Sequence, residues 1–190
     1  MSDIDKTLEA FVSVCKKYDV PGRFETIDDL SKVFPVELPF PADMDYFYKK
    51  FNPEDLLIET GITPITLYSA KDLEKAQVGY SSFPDNYLVI GDDIGGGKPI
   101  IAVVDREHTP IYANYDVGKP FKIADSFTDF ILSLTKLIEL VYGQYDIFDV
   151  IDEDDESHEI KESFISELRA HISPIIGNEN FEAFLDYFYG

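Results

Sequence analysis

Tyr87-Leu88-Val89-Ile90-Gly91-Asp92-Asp93-Ile94-Gly95-Gly96-Gly97-Lys98-Pro99-Ile100-Ile101-Ala102-Val103-Val104-Asp105 is the stretch on which the fold turns. Two short apolar runs, rich in β-branched residues, flank a turn of glycine and aspartate, which is the pattern of a β-hairpin with a wide turn. Gly95, Gly96 and Gly97 can each take positive φ, so the backbone can bend sharply there or approach a neighbour closely. With Gly91 they are expected to shape the loop, with at least one of the three at positive φ.

Outward from this hairpin the pattern stays that of strands. Residues 56–58 and 64–68 precede it, and residues 109–115 and 120–124 follow it. The links between them are short, and the one helical stretch among them (71–77, with Ser69 as its expected cap) is too brief for a crossover. One antiparallel sheet over residues 56–124 is therefore expected, not a parallel one.

Both ends of the chain switch to helical spacing. Ile4, Leu8, Phe11, Val12, Cys15 and Tyr18 form one apolar stripe, with Ser2 ahead of it as a cap and Asp3 and Asp5 in the first turn. Thr26 and Asp29 resemble a capping box ahead of Leu30 and Val33, which predicts a short second helix stopped by Pro35. Met44, Phe47, Tyr48 and Phe51 predict a third, opened by Pro41 and closed by Asn52-Pro53. Ser126 should cap a strong helix whose face carries Phe127, Phe130, Ile131, Leu134, Leu137, Ile138 and Val141, with Gly143 as its end. Two further helices are expected at 159–172 and, after Asn178, at 179–189. The fold class is α+β, an antiparallel sheet packed against N-terminal and C-terminal helices.

Composition limits what such a domain can do. Lysine and arginine number 16 against 37 aspartates and glutamates, a net charge of −21. That field repels nucleic acid and anionic membranes and attracts basic surfaces within ~8–10 Å. No nucleic acid and no membrane is expected as a partner, whereas a basic protein is. The single cysteine, Cys15, cannot form an internal disulfide and reads as a small buried hydrophobe in a reducing compartment. The N-terminal residues lack a signal-peptide pattern, so a cytoplasmic location is expected.

Sequence motifs for chemistry fail one by one. The run from Gly91 to Lys98 has the wrong glycine spacing for a phosphate loop, places Pro99 where a hydroxyl is needed, and leads into a strand instead of a helix. Asp152, Asp154 and Glu156 alternate like a calcium loop, but Ser157 and Ser163 stand where the turn glycine and the bidentate glutamate belong. His108, His158 and His171 have no metal-ligand spacing, and no nucleophile signature is present. Neither an enzyme nor a cofactor or metal site is expected. The acids next to the hairpin, Asp92 and Asp93, and the acidic run Asp152-Glu153-Asp154-Asp155-Glu156 are the candidate partner-binding residues.

The order of these elements resembles the Smi1/Knr4 family, the SUKH superfamily. The resemblance rests on Leu38-Pro39 before an aromatic helix ending Tyr48-Lys49-Lys50-Phe51-Asn52, on Ile90-Gly91-Asp92-Asp93-Ile94-Gly95-Gly96-Gly97, and on Ser126-Phe127-Thr128-Asp129-Phe130 opening a helix. It covers roughly residues 1–142, leaving 143–190 as an acidic linker and C-terminal helical extension outside the pattern. The resemblance implies a non-enzymatic protein-binding domain. Bacterial members are regarded as immunity proteins that neutralise secreted polymorphic toxins, often nucleases; fungal members are regulatory scaffolds in cell-wall synthesis and signalling. The acidity favours the first role independently, since a nuclease presents a basic surface that an acidic partner can occupy.

Overall fold

In the computed structural model, which describes residues 3–29, 38–39, 41–104, 108–115, 118–152 and 159–190, helix α1 (Asp3–Lys17) leads into a short strand β1 (Arg23–Glu25). Helix α2 (Ala42–Phe51) runs directly into β2 (Asn52–Glu54), which pairs antiparallel with β1. Then come β3 (Leu56–Ile58), β4 (Ile65–Leu67), the short helix α3 (Leu73–Gln77), β5 (Tyr87–Asp93), β6 (Ile100–Val103), β7 (Ile111–Ala113) and β8 (Phe121–Ala124). Helix α4 (Phe127–Leu140) and helix α5 (Glu162–Tyr189) complete the chain.

Strands β3 to β8 form a six-stranded sheet in sequence order, every neighbour antiparallel. This is the meander expected over 56–124. Alternate residues face opposite sides of a strand, and the sheet uses both. Leu88, Ile90, Ile100, Ala102, Ile111, Ala113 and Ile123 join the main core with the helices, while Val89, Ile101 and Val103 form a smaller apolar cluster on the other face.

Helix α4 is the central spar of the core. Phe127, Phe130, Ile131, Leu134, Leu137 and Ile138 are all buried. Ser126 caps it as expected: its Oγ accepts from the Asp129 N–H (3.0 Å) and donates to the Asp129 carboxylate (2.7 Å). Gly143, however, does not end the helix, because the chain continues through a π turn over Val141–Tyr145. Glycine is there for another reason: a Cβ at 143 would lie 2.3 Å from the Tyr18 hydroxyl of α1.

Two other expectations need correction. Residues 26–29 are not helical; they continue the β1 edge, with the Ile27 N–H donating to Lys49 O (2.9 Å). The remainder of that predicted helix, 30–35, is outside the described residues, as is Ser2. Ser69 does not cap α3 but donates its hydroxyl to the Asp72 side chain. The two expected C-terminal helices are both present, within Glu162–Tyr189 and divided at Gly177 (φ 80°, ψ 160°).

The described residues beyond 142 take part in the main core. Phe164, Leu168, Ile172, Phe181, Phe184, Tyr187 and Phe188 of α5 are buried with the sheet residues and α4. At roughly 1.5–3 kcal/mol for each large apolar side chain buried, α5 is a major contributor to stability.

Candidate functional site

The β5–β6 turn is held from within by two carboxylates. Asp93 Oδ1 accepts from the N–H groups of Gly97 (2.8 Å) and Lys98 (3.1 Å). Asp92 Oδ1 accepts from the Asp93 and Lys98 N–H groups, both at 2.9 Å, and the Tyr80 hydroxyl donates to Asp92 Oδ2. Asp92 is thus only 2% exposed. Burial pushes its carboxyl above the ordinary range, against the opposing hydrogen bonds from Tyr80 and Lys98. Burial also acts on Asp93, but the N–H groups of Gly97, Lys98 and Gly95 and the Asp92 side chain outweigh it and hold Asp93 below that range.

This arrangement explains the sequence of the turn. Of the three consecutive glycines only Gly96 has positive φ (73°), the one place where the missing Cβ is required by the backbone. Gly95 lies beside the Asp93 carboxylate, Gly97 donates to it, and Gly91 sits at a register shift in the β5–β6 ladder. The turn's N–H groups point at the protein's own aspartates, so they do not form a cradle for an external anion.

Two other segments meet the turn at the same end of the sheet. The Ile94 N–H donates to Pro64 O (3.2 Å), which joins the turn to the β3–β4 loop. In that loop Gly61 (φ 89°) comes so close to Val150 that a Cβ would lie 2.0 Å from Val150 Cγ2. The last helix clamps both: Tyr187 donates its hydroxyl to Lys98 O (2.5 Å) and Tyr189 to Thr60 O (2.9 Å). Beyond Val150 the chain doubles back, with Ile151 bridged to Ile160 and the Asp152 N–H donating to Glu159 O (2.8 Å). The glycine turn and the start of the acidic run, Asp152, therefore sit on neighbouring segments. Glu153, Asp154, Asp155 and Glu156 lie outside the described residues.

The outer face of the sheet carries aromatics that sequence reading did not connect. Tyr80 stacks on Phe83 (5.4 Å between ring centres), Phe83 meets Tyr87 (6.0 Å) and Tyr87 meets Tyr112 (6.1 Å). Gln77 completes this face by pairing its side-chain amide with both the N–H and the C=O of Val89 (2.9 Å each), as a neighbouring strand would. Burial, with the charges of Asp92, Asp93 and Asp72, pushes the Tyr68 phenol up to about 12. The contact is encoded by a turn at residues 78–86, and no periodicity in the sequence marks it.

Desolvation pushes the Cys15 thiol up to about 12, so it does not ionise near neutrality. The hydroxyls of Ser69 and Ser126 are bonded to neighbouring aspartates and not to a histidine. His108 and His171 are exposed on separate elements, and His158 is outside the described residues. Among the described residues no group of three or more histidines, cysteines or acids is placed to hold a metal ion, and no helix is long and apolar enough to cross a membrane.

Comparison with known proteins agrees with the fold. The model of the SMI1 / KNR4 family (SUKH-1) matches residues 23–133, more than half of the chain, from β1 into the middle of α4. No curated protein and no solved structure matches it.

Proposed function

The chain belongs to the SMI1 / KNR4 family (SUKH-1), and from that premise we propose that it is a non-enzymatic binding module of the immunity type, which neutralises a basic, nuclease-type toxin domain in the cytoplasm. The observation that carries this reading is the net charge of −21 on a chain of this family. An acidic surface raises the encounter rate with a cationic partner and competes with nucleic acid for the same basic site.

The test is to purify the tagged chain from its source organism and identify what remains bound at stoichiometric ratio. The expected partner is a basic toxin-type domain whose activity is abolished by one equivalent of this chain. A partner from cell-wall synthesis or signalling would instead assign the regulatory role known for fungal members of the family.

A further inference from the structure

Among the described residues four large apolar side chains stand substantially in solvent: Ile62 (37% exposed), Val78 (76%), Ile94 (61%) and Phe148 (81%). Isolated cases are ordinary on any protein surface, but three of these four sit on segments that touch one another. Ile62 belongs to the β3–β4 loop, next to Gly61, which contacts Val150 and Ile147 O. Ile94 is in the β5–β6 turn, bonded to Pro64 of the same loop. Phe148 lies two residues before Val150.

The backbone that carries these side chains is hydrogen-bonded on each segment. Thr60 Oγ1 accepts from the N–H groups of Thr63 (2.9 Å) and Ile62 (3.3 Å). Ile94 follows the bonded pair Asp92 and Asp93. Phe148 is flanked by a turn in which the Asp149 N–H donates to Asp146 O (3.1 Å), and by Val150, which is fully buried. Their surroundings are acidic, with Glu59, Asp93, Asp146, Asp149 and Asp152 on these segments. Two lysines lie close: Lys161, paired with Asp149, and Lys98, packed over the Tyr115 ring (5.4 Å).

We propose that this end of the sheet is the docking surface for a cationic protein segment. Ile62, Ile94 and Phe148 receive its apolar side chains, and the acidic rim faces its lysines and arginines, with Asp146 foremost because Asp149 is already paired with Lys161 and Asp93 accepts from the turn's own N–H groups. This rests on the reading of the chain as a binder of a basic protein, and names where that partner sits. Apolar anchors inside a polar rim are the usual layout of binding hot spots. A second copy of the chain is a poor occupant, since it would bring two acidic rims together.

A phage-displayed library of random peptides panned on the full chain tests this. The expected winners combine lysine or arginine with aromatic or aliphatic residues. They should bind the I62S/I94S/F148S variant at least about tenfold more weakly, lose affinity for D149K/D152K at low salt, and bind V78S as they bind the native chain. Unchanged thermal melts confirm that the exposed substitutions leave the fold intact. Basic winners that bind I62S/I94S/F148S as tightly as the native chain would overturn the surface and leave the basic-partner reading standing. Winners without basic residues would overturn both. A native dimer in sedimentation that I62S/I94S/F148S converts to monomer would overturn the proposal by making the occupant a second copy.

Discussion

Asp92 is a carboxylate taken out of water to organise a turn, and its replacement has a clear signature. Asp92→Ala leaves the Tyr80 hydroxyl and the Asp93 and Lys98 N–H groups without their acceptor, and should cost about 2–3 kcal/mol in denaturant melts. Asp92→Asn keeps an acceptor for the N–H groups and carries no charge. Because the native pKa of Asp92 is raised, the native state holds its proton more tightly than the unfolded chain. Its contribution to stability is therefore full below the unfolded value near 3.8 and is lost as pH rises through the higher native value. Urea melts from about pH 4 to pH 7 should show native stability declining relative to Asp92→Asn as pH rises; parallel profiles would mean that Asp92 is not titrating in the folded turn. At Gly96, whose φ is 73°, alanine should cost about 1 kcal/mol, read in the same melts.

Among the elements, those with one strong period were legible and those built from context were not. Strands β5 and β6 followed from their β-branched runs, and α4 from its stripe and its Ser126 cap. Phe130→Ala should cost about 3–5 kcal/mol, whereas Phe148→Ala should lie within about 0.5 kcal/mol of native, because one side chain is fully buried and the other stands in solvent. Strands β1 and β2 escaped prediction: Arg23-Phe24-Glu25 and Asn52-Pro53-Glu54 carry no alternating apolar pattern, and Pro53 reads as a helix stop. Besides its pairing with β1, β2 is anchored by a buried side chain, Asn52, whose Oδ1 accepts from the Ala70 N–H (2.8 Å). Asn52→Ala should accordingly destabilise by about 1–3 kcal/mol. Nor could local pattern show that the aromatic tail of α5 clamps the glycine turn, since the bond from Tyr187 to Lys98 spans 89 residues. The candidate site was half visible for the same reason. Adjacent acids and glycines marked the turn, but the lone pairs of Asp92 turned out to be spent on the turn itself. Ile62, Ile94 and Phe148 are far apart in sequence, and only the fold brings their segments together, through Ile94 N–H to Pro64 O and Gly61 against Val150.

For the molecule as a whole, the sequence-wide charge is the property that reaches furthest. With 37 acids against 16 bases, the field extends past any single contact and acts on the approach of a partner before docking. Its effect belongs in the association rate, while apolar anchors such as Phe148 act on the dissociation rate. Lysine at positions 152, 154 and 155 (D152K/D154K/D155K) should slow association several-fold at low salt. The most direct measurement is the stopped-flow association rate of the native chain with its co-purified basic partner over a salt series. The rate should fall by tenfold or more between about 0.05 M and 0.5 M salt, with a shallower slope for the charge-reversed variant. One rate across the series, shared by both proteins, would contradict this.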